Sequence, residues 1–352
     1  MRSLLNGGVA VRCVPSEGSF GPLGFEPAAV SFASTRDGWE LGSAGCDGCA
    51  ALRRTRDGGR TWAALPSLRS TLFVGGGPGV GVRDLVFADR SNGFLFGPGL
   101  FASHDGGRSW RRQSVPAVAS LRLGGGYAYA LTIRPEGIWR ARVGGTGWRR
   151  LRLPAAAREI GELSVEGTTL VVLRLGHTKP GPGPAGRIWF SGDRGLSWGA
   201  RTVPCTQADG SAALMAVTRA RPRSWLIDCT LNLQSSQAQH VSHHLFRSDD
   251  SGRSWTRLAD PTRRNDPTLL ADNGAGHEFL ATEGVHDELV GSFDGGRRWR
   301  ALIRSGGSFF GWADLQFLDE RTGFVVGPTN NAPEHVYRTD DGGRSWRLID
   351  TG

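Results

Sequence analysis

Apolar residues come along this chain in short bursts and never in long runs. From Asp314 the order is Leu315-Gln316-Phe317, then Gly323-Phe324-Val325-Val326, then His335-Val336-Tyr337-Arg338, then Trp346-Arg347-Leu348-Ile349. Each burst is rich in Val, Phe and Leu and is bounded by Gly, Asp or Asn, the pattern of short strands between tight turns. An earlier stretch repeats the grammar with Leu85-Val86-Phe87, Gly93-Phe94-Leu95-Phe96, Leu100-Phe101-Ala102 and Trp110-Arg111-Arg112. No run approaches the ~18 apolar residues of a membrane-spanning helix. The pattern predicts an all-β chain and excludes a helical bundle, a coiled coil and a helical membrane span.

Seven segments share the pattern [ST]-x-D-x-G-x-x-W. Six are complete, with Asp57 and Trp62, Asp105 and Trp110, Asp193 and Trp198, Asp250 and Trp255, Asp294 and Trp299, and Asp341 and Trp346. The seventh, Ala141 to Trp148, is worn and has Val143 in place of the aspartate. The tryptophans lie 38 to 57 residues apart. That spacing suits a four-stranded propeller blade. The aspartate can accept hydrogen bonds from its own tight turn, the glycine supplies a positive φ, and the tryptophan returns a large apolar area to the sheet. The prediction is a seven-bladed β-propeller with four antiparallel strands per blade and this hairpin between the third and fourth strands. Residues 1–25 form a lead segment before one domain spanning 26–352. Its blades are expected near 26–66, 67–116, 117–154, 155–204, 205–261, 262–304 and 305–352. The ring is expected to close by blade packing, with Val9–Val14 as an added edge strand.

These hairpins resemble the Asp-box, or bacterial neuraminidase, repeat. The unit Phe317 to Gly327 followed by Tyr337 to Trp346 looks most like the photosystem II assembly-factor-like propellers and related secreted bacterial proteins. Asp boxes also occur in sortilin-type receptors, sialidases and xyloglucanases. The resemblance implies the fold strongly and the function weakly. The assembly-factor likeness implies a non-catalytic binding or assembly role outside the cytoplasm, with a protein, peptide or glycan as partner. A sialidase-like glycoside hydrolase is the alternative and the only enzymatic activity considered. That family needs a Tyr–Glu pair, an aspartate and three converging arginines, and this chain has only Tyr127, Tyr129 and Tyr337.

Composition sharpens this picture. Glycine supplies 53 of 352 residues and there are 12 tryptophans but 2 methionines, as expected of many turns and short strands. The net charge is +9, and Lys179 is the only lysine. The arginines are spread along the chain, several at one repeated place such as Arg60, Arg108, Arg253 and Arg344. Such a spread speaks for a solvated surface and against a nucleic-acid partner. Cys46 and Cys49 lack a second ligand pair for zinc, so a local disulfide is expected, with two free thiols as the alternative. Cys205–Cys229 is the second expected disulfide, and Cys13 is left odd. Residues 1–15 have an apolar stretch broken by Asn6, Gly7 and Gly8 and do not read as a secretory signal. His243 and His244 would face opposite sides of a strand, which argues against shared metal ligation. The G-x-S-x-G match around Ser197 lies inside a box and lacks a strand–turn–helix context. No cofactor, no metal and no catalytic residue are expected, and a monomer is.

A ligand is expected on the rim opposite the box hairpins. The longer connections Gly176–Arg187, Thr230–Val241 and Pro328–Glu334 fall there. Asp84 and Asp314 occupy equivalent places before innermost strands. Arg83, Asp84, Glu162, Trp312 and Asp314 are the candidate ligand-binding residues, with Trp312 as a stacking platform.

Overall fold

The computed structural model describes residues 25–43, 50–66, 82–154, 157, 160–175, 186–206, 211–217, 223–234, 239–261, 265–283, 287–305, 312–329 and 332–349. They form seven four-stranded antiparallel sheets, each built from consecutive strands, and contain no helix. The sheets are the blades of a seven-bladed propeller. The innermost strands are Glu26–Phe32, Asp84–Phe87, Val118–Gly124, Ile160–Glu166, Ser211–Val217, Asp266–Asp272 and Asp314–Phe317. Residues 1–24 of the lead segment, with the Val9–Val14 strand, and the Cys46–Cys49 pair lie outside the described residues. The Cys205–Cys229 disulfide is present and joins the entry of blade 5 to its second strand.

Among the described residues no strand is shared between the last blade and the first, and packing joins the two. Phe32 of blade 1 stacks on Phe324 of blade 7, centroid to centroid 3.5 Å. Gln316 Nε2 donates to the Phe32 carbonyl at 3.2 Å, and Arg338 Nη1 donates to the carbonyls of Thr35 and Gly58 at 2.9 Å. The same aromatic device recurs where Trp39 stacks on Phe87. The box tryptophans then meet these phenylalanines edge-on, as Trp62 does Phe32 and Trp110 does Phe87. Gly38 and Gly93 open their second strands because a Cβ there would lie 2.4 and 2.3 Å from Phe32 and Phe87.

Apolar clusters fill six of the seven blade-to-blade interfaces. The interface between blades 5 and 6 differs among the described residues. Cys229 faces blade 4, so by strand alternation Asp228 faces blade 6. Asp228 accepts from Thr230 Oγ1 at 2.7 Å and lies 3.5 Å from the buried Nδ1 of His243. Arg247 of blade 5 pairs with the buried Glu278 of blade 6. His243 is buried, while His244 reaches Asp260 on the other face. The two histidines therefore diverge, as the strand period requires.

The box hairpins are densely bonded turns. Asp57 Oδ1 accepts from Thr55 Oγ1 at 2.8 Å and from the N–H groups of Arg60 and Thr61 at 3.0 Å, and Oδ2 accepts from Thr61 Oγ1 at 2.6 Å. Asp105, Asp193, Asp250 and Asp341 hold much the same set. In five boxes the residue after the aspartate has a second task that its sequence does not advertise. Its N–H donates to the first turn of its own blade, as from Gly58 to Arg36, Gly106 to Ser91, Arg194 to Thr168, Ser251 to Arg223 and Gly342 to Arg321. Its carbonyl accepts from the preceding blade, through Arg338, Trp39, Arg140, Arg201 and Asn273 respectively. The hairpin is thus a clip between blades. Several arginines that read as a solvated spread are its donors.

Candidate functional site at the channel mouth

The bonds from hairpin to first turn place both features on one rim. The N-terminal ends of the innermost strands consequently open on the other. Five innermost strands begin with a register shift that admits one extra residue, as between Pro27 and Ala29 or Ile160 and Glu162. In blades 2 and 7 the extra N–H groups, of Arg83 and Ala313, donate to Phe96 and Val326, the partners of Asp84 and Asp314. Bulges of this kind re-aim the next side chain. The next residues around the ring are Ala29, Asp84, Ser120, Glu162, Leu214, Leu269 and Asp314.

Asp84 and Asp314 are brought into one electrostatic neighbourhood although blade 1 lies between them. Blade 1 contributes only Ala29 at this level, which leaves room. Each carboxyl keeps a partial opening to the channel but is ringed by enough protein that desolvation dominates. Burial pushes Asp84 up to about 6, against the pull of Arg122, the Leu85 N–H and Arg83. Burial and then repulsion from Asp84 push Asp314 up to about 7, against the pull of Arg122. Two carboxyls and one guanidinium, from blades 2, 7 and 3, act as a unit that keeps a proton near neutrality.

The other candidates divide. Arg83 Nη2 donates to the Ala119 carbonyl and so ties the mouth of blade 2 to blade 3. Glu162 occupies the equivalent place in blade 4, half-buried. Trp312 is a correction. Its indole is 5% exposed, donates from Nε1 to the Thr282 carbonyl at 3.2 Å, and belongs to the core between blades 6 and 7. Gly327 is there to admit it, since a Cβ would lie 2.1 Å from its ring. A tryptophan so enclosed cannot stack on a ligand. Residues 230–241 were expected as a loop, yet the second and third strands of blade 5 run Trp225–Gln234 and Gln239–Ser248. The alternation Leu231-Asn232-Leu233-Gln234 is strand grammar that overrode the loop reading.

Arg122 is the residue that sequence reasoning missed. It stands two places beyond Ser120 on its innermost strand and thus on the same face. The equivalent places hold Ser31, Val86, Ser164, Ala216, Ala271 and Gln316. A lone arginine in that row was a legible signal. Among the described residues no three His, Cys, Asp or Glu side chains group as a metal site.

No protein-family model matches the chain, and no curated protein does. Solved structures do. YCF48 bound to D1 peptide is 18% identical, with 87% of this chain and 91% of that one covered, at a TM-score of 0.58. YCF48 from Cyanidioschyzon merolae is 15% identical over 90% of this chain and 95% of its own, at 0.60. A GH74 xyloglucanase from Xanthomonas campestris is 14% identical over 92% of this chain but only 60% of its own, at 0.53. At these identities the likeness is one of fold, and the fold is the propeller.

Proposed function

We propose that this chain is a non-catalytic binding propeller of the Asp-box type that recognises a protein, peptide or glycan segment at the channel mouth, outside the cytoplasm. The observation that carries the reading is the convergence of Asp84, Asp314 and Arg122 from three blades. A carboxyl pair that retains a proton offers donor and acceptor together, and the guanidinium adds a charged fork. That set suits backbone amides, amines or sugar hydroxyls. A peptide is the first ligand to try, because one similar structure is YCF48 bound to D1 peptide. The buried Cys205–Cys229 disulfide supports an oxidising compartment.

The glycoside hydrolase reading needs one carboxyl kept protonated while its partner stays ionised. A pair that retains one proton meets that condition as well as it serves binding, so turnover, not the shifted proton, separates the two readings. The test compares partners retained from the native cell envelope by the parent and by a variant with Asp84→Asn, Asp314→Asn and Arg122→Ala, after unchanged blade content is verified by far-UV circular dichroism. Loss of the parent's bound set from the variant supports the mouth as the binding face. An identical bound set contradicts it, and turnover of aryl glycosides by the parent would replace binding with hydrolysis.

A further inference from the structure

On the opposite rim, a cavity of about 530 Å³ straddles the seam between blades 7 and 1. Arg36 and Arg60 enter it from blade 1, and Arg338 and Arg347 from blade 7, with Asp57 and Asp340. Four guanidinium charges face two carboxylates, a local excess of two positive charges. Both carboxylates are already engaged. Asp57 is saturated by its own hairpin, and Asp340 holds Arg338 and Arg347.

The guanidiniums differ in the same way. Arg338 is fixed by Asp340 and by the Thr35 and Gly58 carbonyls. Among the described residues Arg36 and Arg60 bond only through their backbones, by the N–H of each and the Arg36 carbonyl, so both forks are uncommitted at the exposed wall of the cavity. Repeat-equivalent arginines behave otherwise. Arg108, Arg253 and Arg344 fold back onto the carbonyl of their own box aspartate. In a second arginine-lined cavity, between blades 4 and 5, two of the three forks are in use. Arg201 there donates to Ser251, and Arg253 to Asp250.

We infer that the seam between blades 7 and 1 binds a phosphate-bearing small molecule, held by the Arg36 and Arg60 forks against Arg338 and Arg347, and that the ligand clamps the last blade to the first. Guanidinium forks match phosphate oxygens two at a time. A phosphate monoester carries about −1.5 to −2 charge near neutrality, matching the local excess. A volume near 530 Å³ exceeds a bare ion and suits a small organic phosphate. Because the ligand would touch both blades, it would bind the closed ring and not the unfolded chain, and so raise the melting temperature.

The test uses pyrophosphate as probe on the full chain, by calorimetric titration and thermal melting, with citrate as the carboxylate comparison. At a hundredfold excess over Kd the melting temperature should rise by about 3–5 °C. Arg36→Ala with Arg60→Ala should weaken binding at least tenfold and remove the rise, while leaving the unliganded melting temperature within a degree or so, since neither fork bonds within the protein. Arg108→Ala, at an equivalent place outside the cavity, should bind as the parent does. The inference is overturned if pyrophosphate does not bind, if the double variant binds equally, if Arg108→Ala loses as much, or if citrate binds more tightly than pyrophosphate. If the alanine pair destabilises the fold, Arg36→Gln with Arg60→Gln replaces it, with the same outcomes expected.

Discussion

Two sets of aspartates sit in this propeller at repeat-equivalent places, and the rims pull them in opposite directions. On the box rim, half-burial would raise Asp105, yet it is held down at about 2, because the hydroxyls of Ser109 and Ser103 and the N–H groups of Arg108 and Ser109 bond its charged form. At the mouth, Asp314 has one backbone N–H, a distant arginine and a second carboxyl for company, and it is pushed up to about 7. Burial raises both groups. Hydrogen bonds to the anion decide the outcome at the box, and their scarcity decides it at the mouth. A group held down by bonds is part of the frame. A group left with a shifted proton and few partners is free to meet something else.

The comparison breaks most violently at the clip glycine. Gly343 has φ +85°, and a Cβ there would lie 2.3 Å from the Phe279 ring of the preceding blade. Gly343→Ala should cost about 3 kcal/mol from the left-handed backbone and the overpacking together, read by denaturant unfolding. Asp341→Ala removes the acceptor of Thr339 Oγ1, Ser345 N–H and Ser345 Oγ, and should cost about 2 kcal/mol at pH 7. Because the native pKa of Asp341 lies below its unfolded value, the parent's advantage is present above about pH 4 and fades as pH falls through the native value.

The mouth reverses that sign. Asp314 has its native pKa raised, so the folded chain binds more protons than the unfolded one between about pH 4 and pH 7. The parent's stability from this group is complete below pH 4 and declines as pH rises toward 7. Asp314→Asn should therefore stabilise the fold by about 1–2 kcal/mol at pH 8, with the gain vanishing by pH 4, in parallel melts across that range. The smallest effect sharpens the clip. Ser251 sits at φ +61°, where other boxes use glycine, as at Gly58 and Gly106. Ser251→Gly should stabilise by about 0.5 kcal/mol in denaturant titration, since it relieves the left-handed strain without touching the shared peptide.

What the sequence disclosed follows the range of each interaction. The box closes within eight residues, so Thr55 to Trp62 carries its whole logic in one line, and seven such lines read as seven blades. Asp84 and Asp314 were legible because the repeat puts them in register. Arg122 lies only two places along and is the lone charge in its row, a signal that appears only once the innermost strands are set in register. The clip donors were illegible for a stronger reason. Arg338, Trp39 and Asn273 do one job with three chemistries, each from the blade before, and no local pattern records that. Trp312 misled because a tryptophan before an innermost strand looks the same whether it faces the channel or the next blade. Only Gly327, fifteen residues on and otherwise an ordinary strand glycine, marks the space that swallows it.

The most direct measurement is the carboxyl carbon titration of Asp84 and Asp314 by NMR, in the parent and in Arg122→Ala. Both groups should titrate together near pH 6 to 7, well above every box aspartate, and loss of Arg122 should move both upward. Independent titration near the ordinary value of 3.8, indifferent to Arg122, would contradict the shared mouth and with it the proposed binding face.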